Sequence, residues 1–384
     1  MSSHINILFA GDFAPCSGFE ALVLEKKEAI FGDALPLIQS SDMAFINLEC
    51  PLTSAVNTIS KSGPQLKSDA KCIESLKDFS LIGLANNHIM DFNELGLTDT
   101  LEACASINVK TVGAGINLKE AQKIQIIECD GFKVAIIALA EHEFNQANKN
   151  KAGSAPIDAI DNYHQIEKAK KEADIVIITL HAGNEYLPYP RPNLRKLCKH
   201  YIDLGVGAVV CHHPHVPGAY EYHNGKPIFY SIGNIIFDNI MNQKDWEYGF
   251  LVNFSIDKNK REIDSLELFP YRQSVELEGL KFLEHEEKQL FLEKIETYRR
   301  TMENDNAYEK EWASYVKKHA DIAIVRQYSP VLFKGIGLLA RKLPLYKLFY
   351  NKMNMHAKLN GIRCQSHREL LKDSLEFRGK CNDK

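Results

Sequence analysis

The sequence lacks the features that define several large classes of protein. No apolar run approaches the roughly 18 uninterrupted residues of a membrane-spanning helix, and there is no internal repeat or low-complexity linker. The N-terminus has no basic segment leading into a long apolar one, which argues against a secretory signal peptide. The nine cysteines form no Cys-x-x-Cys pair and no regular spacing, so we expect reduced thiols in a reducing compartment rather than a disulfide framework.

The chain also has little excess charge of either sign. Its 46 basic and 50 acidic residues give a formal net charge of −4, which leaves no general attraction for nucleic acid. Hydrophobic residues make up 45% of the 384 positions, an ordinary value for a globular protein. We therefore expect a folded, cytoplasmic protein without a nucleic-acid partner.

Short apolar runs alternate with helical segments over the first two thirds of the chain. Most runs are continuous rather than alternating, which is typical of strands buried on both faces. The predicted strands are 5–10, 43–48, 81–85, 134–139, 175–180, 207–211, 227–232, 250–256 and 263–270. Helical spacing is clearest at 95–105, 163–173 and 193–204. Strands that alternate with helices predict an α/β fold.

The character of the sequence changes after about Glu276. Charged helical patterns at 284–300 and 306–319 precede the segment 322–350, where apolar clusters alternate with basic residues. We predict a main α/β domain over 1–275 and a helical C-terminal extension over 276–384. Packing on the main domain is the commoner role of a segment like 322–350, and a peripheral membrane contact is the alternative.

Polar side chains follow six of the predicted strands at the point where each strand ends. They are Asp12, Glu49, Asn86, Asn87, His88, His181, His213, His215 and Asn234, with Asp91 just beyond His88. Open α/β sheets bind ligands at the carboxyl ends of their strands, so we expect these side chains to share one rim.

This mixture of side chains is typical of a metal site. Imidazole suits transition ions, carboxylate and amide oxygens suit harder ions, and a mixed set fits two neighbouring divalent ions that share a carboxylate. Gly11 and Gly233 would let the backbone approach such ions closely. Each residue alone has an ordinary alternative, such as a turn at Asp12, a helix cap at Asn87 or a core histidine at His181. Their recurrence at six strand ends favours the metal site.

The same residues lie in motifs that resemble a known family. The motifs are FAGD at 9–12, NLECPLT at 47–53, NNH at 86–88 with Asp91, HAGNEY at 181–186, HPHV at 213–216, and YSIGN at 230–234 followed by FD at 237–238. In order and spacing they resemble the CapA-like proteins of capsule or poly-γ-glutamate synthesis, within the calcineurin-like metallophosphoesterase superfamily. Six ordered motifs make the resemblance more specific than any single short pattern.

The resemblance implies a four-layer α/β/β/α sandwich and a role for each site residue. Asp12 and His215 would hold one divalent ion, Asn87, His181 and His213 would hold a second, and Glu49 would bridge them. His88, assisted by Asp91 and Asn86, would stabilise the substrate or protonate the leaving group. Glu185 and Asn234 would support the ligands or face the substrate.

The chain departs from the family pattern at two positions near the site. Ala14 stands where the superfamily often has a histidine, two positions after the first aspartate, and this weakens the first ion site. Pro217 follows the HPHV motif where the family usually has a glutamine, so a substrate contact from this loop does not carry over. The N-terminal apolar anchor that is common in the family has no counterpart here.

Two hypotheses on function follow. The first is a hydrolase that uses a metal-activated water on a phosphate ester or a related bond in a surface-polymer pathway. The second is a non-catalytic accessory factor that binds a polyanionic polymer or a lipid-linked intermediate during synthesis or export. Asp12 and Glu49 favour the first hypothesis, whereas Ala14 slightly favours the second. In both, the partner is a phosphorylated or polyanionic surface-polymer intermediate.

Overall fold

The computed structural model describes residues 3–61, 63–328 and 352–382. The described strands are β1 (His4–Ala14), β2 (Met43–Leu48), β3 (Leu81–Gly83), β4 (Lys110–Val112), β5 (Ala114–Gly115), β6 (Gln125–Cys129), β7 (Phe132–Ala140), β8 (Gly153–Ser154), β9 (Ile175–His181), β10 (Ala208–His212), β11 (Tyr220–His223), β12 (Lys226–Phe229), β13 (Asn234–Phe237), β14 (Tyr248–Asp257), β15 (Glu262–Ser274) and β16 (Gly279–Phe282).

Two large sheets carry most of these strands. The first has the order β16-β15-β14-β1-β2-β3-β4, with β13 paired to β1 beside β14. The second has the order β11-β12-β10-β9-β7-β6, and β5 pairs separately with β8. The strands β1 to β4 run parallel, as do β7, β9, β10 and β12, while antiparallel strands complete both sheets. Each sheet therefore has a parallel centre whose strands end at one edge.

Helices cover the two sheets, most of them on the outer faces. They are α1 (Gly18–Lys26), α2 (Leu35–Ser40), α3 (Asn93–Ser106), α4 (Leu118–Ala121), α5 (Ala159–Glu172), α6 (Pro192–Asp203), α7 (His285–Glu303), α8 (Asp305–Tyr328), α9 (Lys352–Arg363) and α10 (Gln365–Asn382), with 3-10 helices at Lys27–Ala34 and Ala70–Leu76. Local signals explain several boundaries: Asp158 caps α5 by accepting hydrogen bonds from the backbone of Ile160 and Asp161, and Pro192 begins α6.

Three hydrophobic layers hold the sandwich together. Phe9 and Phe45 of the first sheet pack against Ile136 and Ile177 of the second in the layer between the sheets. A second layer joins the outer face of the first sheet to α1 and α3, and a third joins the second sheet to α5, α6 and α8. This arrangement confirms the four-layer α/β/β/α sandwich with C-terminal helices. Strands covered on both faces explain the continuous apolar runs in the sequence.

The predicted strands all correspond to observed ones, with small shifts at their ends. The prediction that Asn234 follows the end of a strand was wrong. The run 227–232 forms β12 only as far as Phe229, and Asn234 begins a separate strand, β13, in the other sheet. The expected approach of Gly11 and Gly233 to ions stays a prediction, and Gly11 has a packing role as well. A Cβ on Gly11 would lie 2.0 Å from the Gly233 carbonyl oxygen, so glycine at this position allows β13 to pack against β1.

The C-terminal part is helical, as the sequence pattern predicts. The division at 275/276 stays a prediction; β16 continues the first sheet as far as Phe282, and Phe291 and Ile295 of α7 belong to the layer between the sheets. Most of the segment 322–350, namely residues 329–350, lies outside the described residues. Within the described ranges, none of the helices has a stretch long and apolar enough to cross a membrane.

Candidate metal centre

The strand ends of both sheets deliver their polar side chains to one buried cluster. Asp12 lies on β1 and His181 ends β9, while Glu49 follows β2 and both His213 and His215 follow β10. All five residues are almost completely buried. Because the parallel strands of the two sheets end at the same edge, side chains from distant parts of the chain meet there.

Asp12 lies at the base of this cluster and is held by two donors. Its Oδ1 accepts a hydrogen bond of 2.6 Å from the Asn47 side chain, and its Oδ2 accepts one of 3.0 Å from the backbone of His213. The Nδ1 of His215 is 3.6 Å from Oδ2. Burial by itself would raise the pKa of Asp12, but the neighbouring imidazoles hold it well below the usual range, so the carboxylate is charged.

Glu49 is the least satisfied group of the cluster. Its side chain is fully buried, and neither carboxylate oxygen accepts a hydrogen bond from any described residue. Its Oε1 faces the Nε2 atoms of His181, at 3.2 Å, and of His215, at 3.6 Å. Burial, with the charges of Asp12 and Glu185 in addition, raises the pKa of Glu49 well above its usual range. A buried carboxylate of this kind needs a cation to be stable in its charged form.

Asn87, His181 and His213 form the other side of the cluster. The Nε2 of His181 lies 3.0 Å from the Asn87 Oδ1 and 3.1 Å from the His213 Nδ1. Burial lowers the pKa of His181 well below its usual range and that of His213 to about 4, so both imidazoles are neutral at physiological pH. Neutral imidazole is the form that binds a metal ion.

The backbone of the HPHV motif is held in an unusual conformation. His213 has a φ of 95° and His215 a φ of 61°, both in the left-handed region that side chains other than glycine rarely adopt. Such strain persists where the surrounding structure enforces it, and it concentrates at functional sites. Pro214 between the two histidines and Gly183, with a φ of 143°, pack together here, since a Cβ on Gly183 would lie 2.8 Å from the proline ring.

Ligand-forming atoms gather into two triads. Asp12, Glu49 and His181 form one, and Glu49, His213 and His215 form the other, with the donor atoms of each triad within 4.8 Å of one another. Glu49 belongs to both, as expected of a bridging carboxylate. The triads place His181 with Asp12 and His213 with His215, whereas the family resemblance places His215 with Asp12 and His181 with His213. The assignment of each histidine to one ion therefore stays a prediction. The donor set itself fits divalent metal ions.

His88 lies beside the cluster with two charged partners. Its Nδ1 is 2.7 Å from the Asp91 carboxylate and 3.0 Å from the Nζ of Lys61, and Lys61 also forms an ion pair with Asp91. All three side chains are buried. Burial and the charge of Lys61 lower the pKa of His88, although Asp91 opposes the effect. A neutral, oriented imidazole at this position can exchange a proton with a bound substrate.

The remaining predicted site residues have different surroundings. Asn234 orients His215, because its Oδ1 is 3.0 Å from the His215 Nδ1. Asn86 holds backbone instead, since its Oδ1 accepts from the amides of His88 and Ile89 and its amide donates to the Leu48 carbonyl. Glu185 is exposed at the rim of the site. These positions suit support and access, and their functional roles stay predictions.

Several residues of the site were missed by sequence reasoning. Asn47 binds Asp12, and His212 has its Nδ1 3.3 Å from the Asp12 Oδ1 while neither of its ring nitrogens makes a hydrogen bond to a described residue. Both lie on strands next to a predicted ligand, which was an available signal. Glu141 directly follows β7 and so carried the same signal as the predicted ligands, whereas Lys61 comes from an irregular segment and nothing in its local sequence indicates its place in the site.

Comparisons with known proteins give the same picture as the motifs. The family described as "Bacterial capsule synthesis protein PGA_cap" matches residues 6–239. The "PGA biosynthesis protein CapA" of Bacillus subtilis (strain 168) is 35% identical over 237 residues, which cover 60% of this chain and 62% of that protein. The "Capsule biosynthesis protein CapA" of Bacillus anthracis is 31% identical over 220 residues, which cover 54% of each chain. The chain thus spans less than two thirds of the length of these relatives.

Solved structures resemble the chain more weakly. The structure titled "a novel phosphatase" from Mycoplasma pneumoniae shares 17% sequence identity with a TM-score of 0.45, and the match covers 70% of this chain and 94% of that one. A similarity at this level assigns no activity. The cluster around Glu49 has to be interpreted from its own geometry.

Proposed function

Because the chain belongs to the PGA_cap family of bacterial capsule synthesis proteins, we propose that its buried cluster binds divalent metal ions and hydrolyses a phosphoester or a related bond. Bound ions would supply an activated water at near-neutral pH. The proposed substrate is a phosphorylated or polyanionic intermediate of surface-polymer synthesis, in line with the names of the relatives. We propose that two ions would bind and that Glu49 would be a ligand of both.

The observation that supports this proposal most directly is the state of Glu49. A fully buried carboxylate without a hydrogen-bond donor is costly, and the group nearest to it is the neutral imidazole of His181. Replacing the missing donors with a cation would satisfy both carboxylate oxygens and the imidazole nitrogens at once. The strained backbone at His213 and His215 further supports a site selected for function rather than for stability.

The chain's own residues would contribute binding and proton transfer. Asp91 and Lys61 fix the ring of His88 through its Nδ1 side, which leaves Nε2 as the atom that can hold or release a proton toward a substrate. The amide of Asn47 and the backbone of His213 fix the Asp12 carboxylate. Fixed groups of this kind need little rearrangement during a reaction.

A second candidate function is an accessory factor without catalysis. Ala14, which stands where the superfamily often has a histidine, favours it, because one ligand of the first ion would be missing. On this alternative the ions would bind the anionic groups of a polymer or lipid-linked intermediate without cleaving them. One experiment separates the two candidates.

The test measures the metal content of the purified protein by mass spectrometry and the hydrolysis of p-nitrophenyl phosphate after addition of Mn²⁺ or Zn²⁺. We expect near-stoichiometric metal and metal-dependent turnover, both lost in Asp12→Asn. Asp174→Asn is the matched control, because Asp174 accepts a hydrogen bond from the Lys133 backbone just before β9, at the end of that strand away from His181. Metal without turnover would favour the accessory factor, and no metal under any loading condition would refute both.

A further inference from the structure

Arg191 links the metal-binding edge of the sandwich to the C-terminal helices. It directly precedes α6 and is among the largest fully buried side chains, with 1% of its surface exposed. Its guanidinium donates to the Glu141 Oε1 at 2.6 Å, to the Glu369 Oε1 at 3.2 Å and to the Gln365 Oε1 at 3.4 Å. Glu369 and Gln365 belong to α10, so a buried charge is neutralised from two directions.

Glu141 connects the same arginine to the segment that carries His181. Its backbone amide donates to the His181 carbonyl at 3.1 Å, and its Oε1 accepts from the Gly183 amide at 2.6 Å. Its Oε2 accepts from the Ser366 amide of α10 at 3.3 Å. Glu141 therefore holds His181 through its backbone amide, and it holds Gly183 and the beginning of a C-terminal helix through its carboxylate.

The C-terminal helices contact a second segment next to the site as well. The Nε2 of His356, on α9, lies 2.7 Å from the hydroxyl of Ser60, and its ring is 6.2 Å from that of Phe144. Ser60 immediately precedes Lys61, the partner of Asp91 and His88. Thus α9 and α10 together contact the segment that carries Lys61 and the segment that carries Glu141.

We propose that the hairpin of α9 and α10 supports the metal site by positioning the His181–Gly183 segment. Glu141 contacts this segment and the hairpin directly, and Arg191 joins Glu141 to α10. The hairpin lies beyond the residues that the family matches, 6–239, so this would be a feature of this chain's own extension. Arg191, Glu141 and Glu369 act here as positioning residues that do not touch the ions. The inference rests on the proposed metal binding.

Glu369 is the residue of α10 to replace in a test, because it contacts both Arg191 and the backbone of Asn193. The Glu369 Oε2 accepts from the Asn193 amide at 3.3 Å, in the first turn of α6, where a negative charge is favoured by the helix dipole. With 12% of its side chain exposed, Glu369 can be replaced with less disruption than the fully buried Arg191. Removing its carboxylate releases α10 from α6 without emptying the core.

The test titrates wild type, Glu369→Ala and Glu369→Gln with Mn²⁺ by calorimetry and records the visible spectrum of each protein loaded with Co²⁺. Partners that orient metal ligands are worth roughly 10-fold to 100-fold in metal affinity, so we expect at least about a 10-fold loss in Glu369→Ala. Glu369→Gln keeps an oxygen acceptor and should recover part of the affinity. The Co²⁺ spectrum should change in Glu369→Ala, because the position of His181 changes.

Glu221→Gln provides the matched control, because Glu221 on β11 pairs with a second arginine, which lies on α6. Arg195 of α6 forms a bidentate ion pair with the buried Glu221, at 2.9 Å for both contacts, but this pair faces β11 and α7 rather than the site. The control should lose thermal stability and keep the Mn²⁺ affinity and the Co²⁺ spectrum of wild type. If wild type binds ions and Glu369→Ala matches it in both measurements, the inference is wrong while the proposed function stands. If wild type binds none, the proposed function itself fails.

Discussion

Glu49 is the residue at which burial and charge conflict most strongly. Its carboxylate is enclosed, has no hydrogen-bond donor among the described residues, and is the member common to both ligand triads. Burial and the nearby acidic charges raise the pKa of Glu49 well above its usual range, which favours its protonated form in the metal-free site. An ion that binds there has to displace this proton, so metal affinity becomes linked to pH.

This linkage gives a prediction for wild type and Glu49→Gln. Because a proton on Glu49 competes with the ion, Mn²⁺ affinity should rise with pH, by up to about 10-fold per unit, when it is measured between about pH 6 and about pH 8. The neutral imidazole of His213, with a pKa of about 4, should contribute nothing in this range. Any weak affinity that remains in Glu49→Gln should be independent of pH. Calorimetric titrations at several pH values measure both, and a pH-independent wild type would contradict the account.

His213 gives a second prediction at this scale, because its backbone is strained. Glycine adopts a φ of 95° without penalty, so His213→Gly should relieve about 1 kcal/mol or more of strain and remove the contact with His181 in the metal-free protein. We expect the metal-free variant to melt at or above the temperature of metal-free wild type, and the stabilisation by added Mn²⁺ to be lost. A marked fall in the melting temperature of the metal-free protein would instead identify His213 as a core residue.

Residues that follow strands were predictable, and residues from irregular segments were not. Asp12, Glu49 and His181 lie directly after or at the end of apolar runs, so strand order alone placed them at one edge. Lys61 lies in an irregular segment and reaches the site by contacts with His88 and Asp91, which are 27 and 30 positions away. Such contacts depend on the packing of whole segments, which local sequence does not encode.

Among the elements, β13 is the one that the site depends on most closely. This four-residue strand pairs with β1 opposite Asp12 and carries Asn234, which orients His215. Gly11 allows its close approach, because the Gly233 carbonyl lies where a Cβ would be. The sequence did not reveal β13 because its apolar residues follow closely on those of β12.

Gly11→Ala should therefore displace β13. Because the added Cβ would meet backbone rather than a flexible side chain, we expect a loss of more than about 3 kcal/mol in the free energy of unfolding, together with weaker metal binding. Gly131→Ala is the control: Gly131 has a φ of 76° and nothing within 4 Å of its Cβ position, so the cost should be about 1 kcal/mol with metal binding unchanged. Denaturant titrations compare the two, and equal losses would argue against the packing explanation.

The segment after β7 provides a prediction on pH at the same scale. Burial, with the charge of Glu141 in addition, raises the pKa of Glu143 to about 7 beneath Cys364, which follows α9. The folded protein then holds a proton that the unfolded chain releases, so this residue's contribution to stability is complete below its ordinary pKa and is lost as pH rises through about 7.

Glu143→Gln should remove this loss. We expect the variant to match wild type near pH 5 and to exceed it near pH 8 by on the order of 1 to 2 kcal/mol in the free energy of unfolding. Because other titrating groups are common to both proteins, the difference between the two denaturation curves isolates Glu143. A variant less stable than wild type at the higher pH would contradict the assignment.

At the scale of the whole molecule, the sandwich brings two parallel sheets to a common edge. The alternation of strands and helices was enough to predict an α/β fold, and the resemblance of motifs supplied the four layers. The assignment of each strand to a sheet could not be predicted, because β7 and β9 pair with each other in a second sheet and not with β1 to β4. The packing of α10 against Arg191 could not be predicted from the sequence either, because it joins residues more than 170 positions apart.

The measurement that tests the central claim most directly is the number of ions held by the intact protein. Native mass spectrometry of wild type and Glu49→Gln after exposure to Mn²⁺ and removal of free metal counts them. Because Glu49 belongs to both ligand triads, wild type should retain two ions and Glu49→Gln should retain none. A wild type without bound ions under every loading condition, or a Glu49→Gln variant that holds as many as wild type, would contradict the account.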